Sequence, residues 1–322
     1  GPSGLAMTKE LLEQGHRPVC FEQAPGLGGV FRYDERRGSV WPTCRLTSSG
    51  LITAFSDFPV TGRRAAHMTV GEYVEYLSEY SRAFGVDQVL RFGVTVEAVD
   101  SRPAGGWDVT YSSEAGRSTE RFDAVAVCSG VHQVPCVPDV PGLADFPGTV
   151  LHSSAFRGRP QVEGKRVLIV GAGESGADIV AVTAEGAAQT VLSLRRGVAV
   201  VPRMAFGRPR DYLTTRLLNS PADWIHQTRH PDDDHKRAVY RRAFLPAVIV
   251  DKVLQIVFRQ FWVKFPLLLS ARREHGRIKL KAQGLIRQLL RESGGTMQEQ
   301  FGTKDDAFVF ALARGTCTRA PA

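Results

Sequence analysis

The chain has 322 residues, 43% hydrophobic and 23% charged, a globular composition with room for two domains and no low-complexity tract. Its net charge of +8 and pI near 9.4 attract a phosphorylated nucleotide, anionic lipid or nucleic acid alike, but no basic stripe interleaved with aromatic residues is present, so nucleic acid is not an expected partner. The five cysteines, Cys20, Cys44, Cys128, Cys136 and Cys317, form neither a C-x-x-C pair nor a metal spacing, which argues against a metal site and suits a reducing, cytoplasmic compartment.

The first element is a helix entered through Gly1-Pro2-Ser3-Gly4, with Leu5, Leu11 and Leu12 on an apolar side and Gly15 as its stop. Arg17 to Glu22 then reads as a short buried strand with an acid at its tip. Gly1 and Gly4 fit the last two glycines of the G-x-G-x-x-G turn that binds dinucleotides; the alternative is a loop before an ordinary helix. A Gly-rich connection, Pro25 to Phe31, and a polar loop through Thr43 to Gly50 follow. Thr69 to Phe84 has apolar residues at Val70, Tyr73, Val74, Leu77, Tyr80 and Phe84, a helical spacing with a capping box from Thr69 and Glu72. Strands are expected over 89–99, 107–112 and 121–128, the last running into Ser129-Gly130. An extended, proline-rich linker spans 131–147.

Gly164 to Asp178 is a complete strand, glycine turn and helix start, with Gly171, Gly173 and Gly176 all in place. Laid over the start of the chain, Gly1 falls on Gly173, Ser3 on Ser175 and Gly4 on Gly176, while Glu22 falls on Leu194 at the tip of the strand Thr190 to Arg195. One such turn is weak evidence; two with a shared Ser-Gly ending and equal spacing to the second strand tip are strong. The tips differ. Glu22 accepts hydrogen bonds from a ribose diol and repels a 2′-phosphate, which suits the adenosine of FAD or NAD. At the second tip Arg195 and Arg196 follow Leu194, and paired guanidinium groups would favour the 2′-phosphate of NADP; the alternative is two solvated surface arginines.

The expected fold is therefore α/β, with two Rossmann-like dinucleotide-binding domains and a helical insertion. The first domain is placed at 1–158, the second at 159–300 with the insertion at 203–294, and 301–322 is a strand or loop returning to the first domain. Within the insertion, Ala243 to Phe265 is the most apolar stretch, but Asp251, Lys252, Arg259 and Lys264 interrupt it, so no charge-free span of about 20 residues is available to cross a bilayer. A core or subunit-packing helix and an amphipathic segment on a membrane surface both remain open, as does a homo-oligomer.

Between the two glycine turns, Phe146-Pro-Gly148-Thr-Val-Leu-His152-Ser-Ser-Ala-Phe156 resembles the F-x-G-x-x-x-H-x-x-x-(Y/F) fingerprint of flavin-containing monooxygenases, the class B flavoprotein monooxygenases. Gly28-Gly29-Val30-Phe31 resembles the family's G-G-x-W segment, and Ala54 to Pro59 resembles its S-D-F-P segment. The related Baeyer–Villiger enzymes usually carry tryptophan where Phe156 stands, which tilts the expectation towards N- or S-oxygenation of a small molecule. The resemblance implies FAD and NADPH as cofactors, O2 as co-substrate, and a C4a-hydroperoxyflavin as oxygen donor. No side-chain general base is required, since the flavin carries the chemistry.

By the same resemblance, Gly1, Gly4, Glu22, Gln23, Gly29, Val30 and Phe31 would contact FAD, whereas Gly171, Gly173, Ser175, Gly176, Ala177, Asp178, Arg195 and Arg196 would face NADPH. His152 would couple domains. Thr47, followed by Ser48, stands where the family usually has a catalytic asparagine; its hydroxyl is shorter and gives a single donor, so more NADPH is expected to end as hydrogen peroxide. Phe31 for tryptophan loses an indole N–H but keeps an apolar wall. The chain looks clipped at both ends, and residues 1–322 expressed alone are expected to bind FAD poorly. The rivals are a Baeyer–Villiger enzyme, a two-dinucleotide flavoprotein reductase, which would need a redox-active cysteine pair, and a non-catalytic nucleotide-binding scaffold.

Overall fold

The computed structural model describes residues 1–36, 38, 40–131, 134–195, 197–198, 200–205, 208–213, 274–292 and 307–320. The chain forms two compact units, Gly1–Leu46 with Ala54–Gly158, and Thr47–Thr53 with Arg159–Ala322. Most of the expected insertion, including Ala243 to Phe265, lies outside the described residues.

In the first unit, helix α1 (Pro2–Glu13) begins directly after Gly1, with proline in the first turn where its missing N–H costs nothing. It leads to strand β1 (Cys20–Glu22). The polar connection after it contains a one-turn helix, α2 (Gly50–Thr53), which belongs to the second unit. Helix α3 (Val70–Ala83) carries the expected capping box: Glu72 N–H donates to Thr69 Oγ1 at 3.2 Å, and Thr69 N–H donates to Glu72 Oε2 at 2.8 Å. The buried face of α3 includes Tyr73, Tyr76, Leu77 and Tyr80, packed with Leu5, Leu46, Val60, Met68 and Val86. Each such side chain contributes about 1.5–3 kcal/mol on burial. Packing therefore holds α3 despite Gly71 and its β-branched first turn.

Tyr76 also does polar work that its place in the helical repeat did not advertise. Phe55 N–H donates to Tyr76 Oη at 2.7 Å, and Tyr76 Oη donates to Phe58 O at 2.9 Å. The hydroxyl thus closes the Ser-Asp-Phe-Pro turn. Tyr76→Phe keeps the ring but strands a backbone N–H and a carbonyl, so the expected loss is about 2 kcal/mol, read as a lower urea midpoint at unchanged slope; an unchanged midpoint would count against this account.

β1 pairs in parallel with β2 (Leu90–Phe92), Cys20 opposite Leu90. Strands β3 (Thr95–Ser101), β4 (Trp107–Ser113) and β5 (Gly116–Phe122) form an antiparallel meander. Two strand expectations are corrected here. The 89–99 run is two strands, broken at Gly93 and Val94, whose N–H groups donate instead to Ala24 O and Glu22 O at 3.2 and 3.1 Å. The 121–128 run is strand only at Arg121 and Phe122: β5 ends there because its pairing with β4 does, and Val127 is 80% exposed. The linker has no regular element among its described residues.

In the second unit, β6 (Arg166–Val170) leads through the glycine turn into α4 (Glu174–Gly186) and on to β7 (Gln189–Ser193), which pairs in parallel with β6. A short hairpin, β8 (Met204–Ala205) with β9 (Arg208–Pro209), follows. Further along are α5 (Glu274–Glu292), α6 (Ala307–Arg314) and β10 (Thr318–Arg319). The described residues of the tail pack within the second unit. β10 adds to β7 in parallel, and α6 buries Phe308, Val309, Ala311 and Ala313. The tail reads locally as a strand because Phe308-Val309-Phe310 is β-prone, but the following alanines allow a helix that hides this apolar side. Both units are α/β. Among the described residues no helix is long and apolar enough to cross a membrane, and none of the five cysteines is in a disulfide.

Candidate functional site: two glycine-turn cradles and the 47–53 loop

In the first unit the start of α1 faces the Gly-rich connection. Gly29 has φ +55°, and a Cβ placed on it would lie 2.8 Å from Gly1 Cα, so two bare backbones meet where the helix presents unpaired N–H groups and the positive end of its dipole. A backbone-lined cradle of this kind suits a pyrophosphate. Glu22 ends β1 beside it: Oε1 accepts Ala24 N–H at 3.0 Å and Oε2 lies 3.4 Å from Gly1 N. Gln23, Gly29 and Val30 are exposed, Gly4 is buried, and Phe31 is half-buried edge-on to Tyr73 at 4.9 Å. Phe31 thus forms a wall fixed by α3.

The Phe146–Phe156 motif ends this unit. Phe156 is buried and packs edge-on against Trp41 at 5.2 Å, while Gly148 is in close contact with the Phe146 ring. His152 Nδ1 accepts Ser154 N–H at 3.2 Å and lies 2.9 Å from Ser154 Oγ. Accepting at Nδ1 places the proton of the neutral ring on Nε2. Here His152 shapes its own turn.

A further element of the first unit escaped the sequence reading. Lys9 is 6% exposed and lies on the apolar side of α1 between Leu5 and Leu12. Its Nζ is 2.8 Å from Asp57 Oδ2 and 2.6 Å from Glu13 Oε2, with the Phe84 ring centroid at 5.2 Å. Asp57 and Glu13 hold the ammonium far above the ordinary lysine range, and Lys9 in turn holds the Asp57 carboxyl below its own. Lys9 therefore ties α1 to the Ser-Asp-Phe-Pro turn. A lysine on a core-facing helical position was the available signal.

In the second unit, Gly173 caps α4 and Ser175 is exposed in its first turn. Gly176 must be glycine for close approach: a Cβ there would come under 3 Å from Gly171 O. Gly171 N–H donates to Ser193 O at 2.9 Å, which locks the turn to the tip of β7. Arg195 lies exposed just past that tip, whereas Arg196 lies outside the described residues. Two positions expected to face the nucleotide make contacts within the protein. Ala177 is fully buried and its N–H donates to Gly173 O at 2.9 Å. Asp178 Oδ2 is 2.7 Å from Arg203 Nη2, both side chains 15% exposed. Arg203, which the sequence reading missed, lies beyond the strand tip and pins that segment to α4.

Thr47 and Ser48 are half-buried in the second unit, ahead of α2. The next residue, Ser49, is fully buried, and its N–H donates to Asp211 Oδ2 at 2.6 Å. Asp211 was also missed; nothing local in its sequence surroundings marks it.

The class these features define is an α/β protein with two helices entered through glycine, α1 and α4, each followed by a strand, β1 and β7. The sequence profile of the family described as "Flavin-binding monooxygenase-like" matches residues 1–227. The chain belongs to that family. A "4-hydroxybenzoate brominase (decarboxylating)" from Marinomonas mediterranea is 39% identical over 228 residues, covering 68% of this chain and 43% of that protein; the chain thus spans less than half the length of this relative. The S-allyl-L-cysteine S-oxygenase of Allium sativum is similar in structure, with TM-score 0.57 and 26% identity over 61% of this chain and 49% of that one. An oxidized steroid monooxygenase bound to NADP shares the fold over 99% of this chain and 64% of its own, with TM-score 0.63 at 20% identity.

Proposed function

We propose that the protein is an FAD- and NADPH-dependent monooxygenase that uses O2 to oxygenate a soft nucleophile, the nitrogen or sulfur of a small molecule. The arrangement behind this reading is two Rossmann-like domains, with FAD on the first glycine turn and NADPH on the second. The observation that carries it is the contrast between the strand tips: the Glu22 carboxylate beside the α1 cradle, and Leu194 followed by exposed Arg195 beside the α4 cradle. A carboxylate selects a free ribose diol, and a guanidinium selects a phosphorylated one. Likeness to the S-oxygenase, and Phe156 rather than tryptophan, support oxygenation at a heteroatom over ketone insertion.

When bound, the flavin supplies the oxygen chemistry. The chain's residues bind and orient. Gly1 and Gly29 would present backbone to the flavin's pyrophosphate, Glu22 would hold its ribose, and Phe31 would keep water from one side. The first turn of α4, with Ser175, would receive the second pyrophosphate, and Arg195 the 2′-phosphate. Thr47 would supply one hydroxyl to the reaction.

The test is turnover of the intact protein with NADPH, O2 and either a thioether or a cyclic ketone. Oxygen-dependent S-oxide formation is expected; lactone formed without S-oxide, or NADPH consumption indifferent to O2, would reject the reading. Thr47 is tested separately by peroxide released per NADPH. Losing one hydroxyl hydrogen bond, worth about 1 kcal/mol, should raise the leak in Thr47→Ala about fivefold, and Thr47→Asn should lower it. A leak that neither substitution moves removes Thr47 from the site.

A further inference from the structure

Asp211 opens a connection that the two nucleotide turns do not explain. It lies in the turn Arg210–Leu213, and its Oδ2 accepts Ser49 N–H across 162 residues of sequence. Ser49 O accepts the Ile52 and Thr53 N–H groups at 3.1 and 3.0 Å, so this one residue both starts α2 and is held from outside. Among the described residues, three oxygens of this cluster are buried without a hydrogen-bond partner: Ser49 Oγ, Thr53 Oγ1 and Asp211 Oδ1. Buried polar atoms of this kind are normally hydrogen-bonded. The segment leading to Asp211 is fixed at its other end by the Arg203–Asp178 ion pair, with Arg210 N–H donating to Arg203 O at 2.8 Å across the β8–β9 hairpin.

We propose that Asp211 is a positioning residue for the loop that carries Thr47 and Ser48, and that Arg203 and the paired strands β8 and β9 make the loop's order depend on α4, whose first turn would receive the second nucleotide. The physical link is a braced segment. One end is an ion pair on the helix behind the glycine turn, and the other is a charge-assisted hydrogen bond to the buried start of α2. Nucleotide that steadies α4 steadies Arg203, the hairpin and the Ser49 amide in turn, and by reciprocity a loosened loop weakens the nucleotide's hold. The dependence on α4 rests on the function proposed above; the positioning by Asp211 does not.

The experiment is hydrogen exchange of the Ser49 amide in the intact protein, with and without NADP⁺, for wild type, Asp211→Ala, Asp211→Asn and Arg203→Gln. A hydrogen bond to a charged acceptor sets the expectation that Asp211→Ala speeds exchange about tenfold to a hundredfold without nucleotide. Asp211→Asn should stay within a few-fold of wild type, because its amide oxygen accepts the same N–H. NADP⁺ should slow Ser49 exchange in wild type and do so less in Arg203→Gln. Exchange in Asp211→Ala within twofold of wild type, or no rescue by asparagine, overturns the positioning role. Equal nucleotide protection in Arg203→Gln overturns the dependence on α4. If Asp211→Ala also exposes the amides of α3, Asp211→Ser is read in its place. Absence of NADP⁺ protection at the amides after Gly173 counts against the proposed function, and the nucleotide-free comparison still decides the role of Asp211.

Discussion

Gly176→Ala is expected to abolish useful NADP⁺ binding while leaving the first cradle intact. The added Cβ would meet the Gly171 carbonyl oxygen at a separation that real side chains do not adopt, and neither partner is a flexible side-chain end. The helix must back away from the turn, taking its first N–H groups with it. Each N–H to a phosphate oxygen is worth roughly 1.5–3 kcal/mol, so losing two weakens binding by a hundredfold or more at about 1.4 kcal/mol per decade. Titration calorimetry with NADP⁺ measures this, with flavin absorbance of the same sample as the control. Affinity within threefold of wild type would mean that the α4 turn does not hold the pyrophosphate.

The mirror experiment is Gly29→Ala. Alanine at φ +55° costs about 1–2 kcal/mol, and its Cβ would lie 2.8 Å from Gly1 Cα, pushing apart the two backbones that form the first cradle. With the phosphate contacts this removes, flavin binding by the intact protein should weaken about a hundredfold, seen as colourless protein after desalting. Because Gly29 lies in the first unit and Gly176 in the second, each substitution should spare the other's ligand. If Gly29→Ala kept a full complement of flavin, the assignment of FAD to this cradle would be wrong.

The sequence was legible where a structural requirement is local. The capping box at Thr69 and Glu72 and the apolar spacing of α3 involve residues within a turn or two of each other, and the structure reproduces them. The second glycine turn is equally local: strand, turn and helix follow one another, and the close approach of Gly176 to Gly171 is set within six residues. The strand errors have a physical cause. The apolar run 123–128 satisfies strand propensity, but a strand also needs a ladder partner, and β4 stops pairing at Phe122. Propensity carries no information about where a partner ends.

What this sequence settled alone is its set of backbone permissions and tip charges: where glycine lets a helix meet a turn, and which strand ends in an acid and which runs into arginine. Folding decided the long-range assignments: that Lys9 grips Asp57, that Asp178 is occupied by Arg203, that Asp211 reaches Ser49, and that the tail adds β10 to β7. Each of these pairs residues far apart in the chain, and a hydrogen bond or ion pair at about 2.6–2.9 Å is specified by three-dimensional proximity, which periodicity along the chain does not encode.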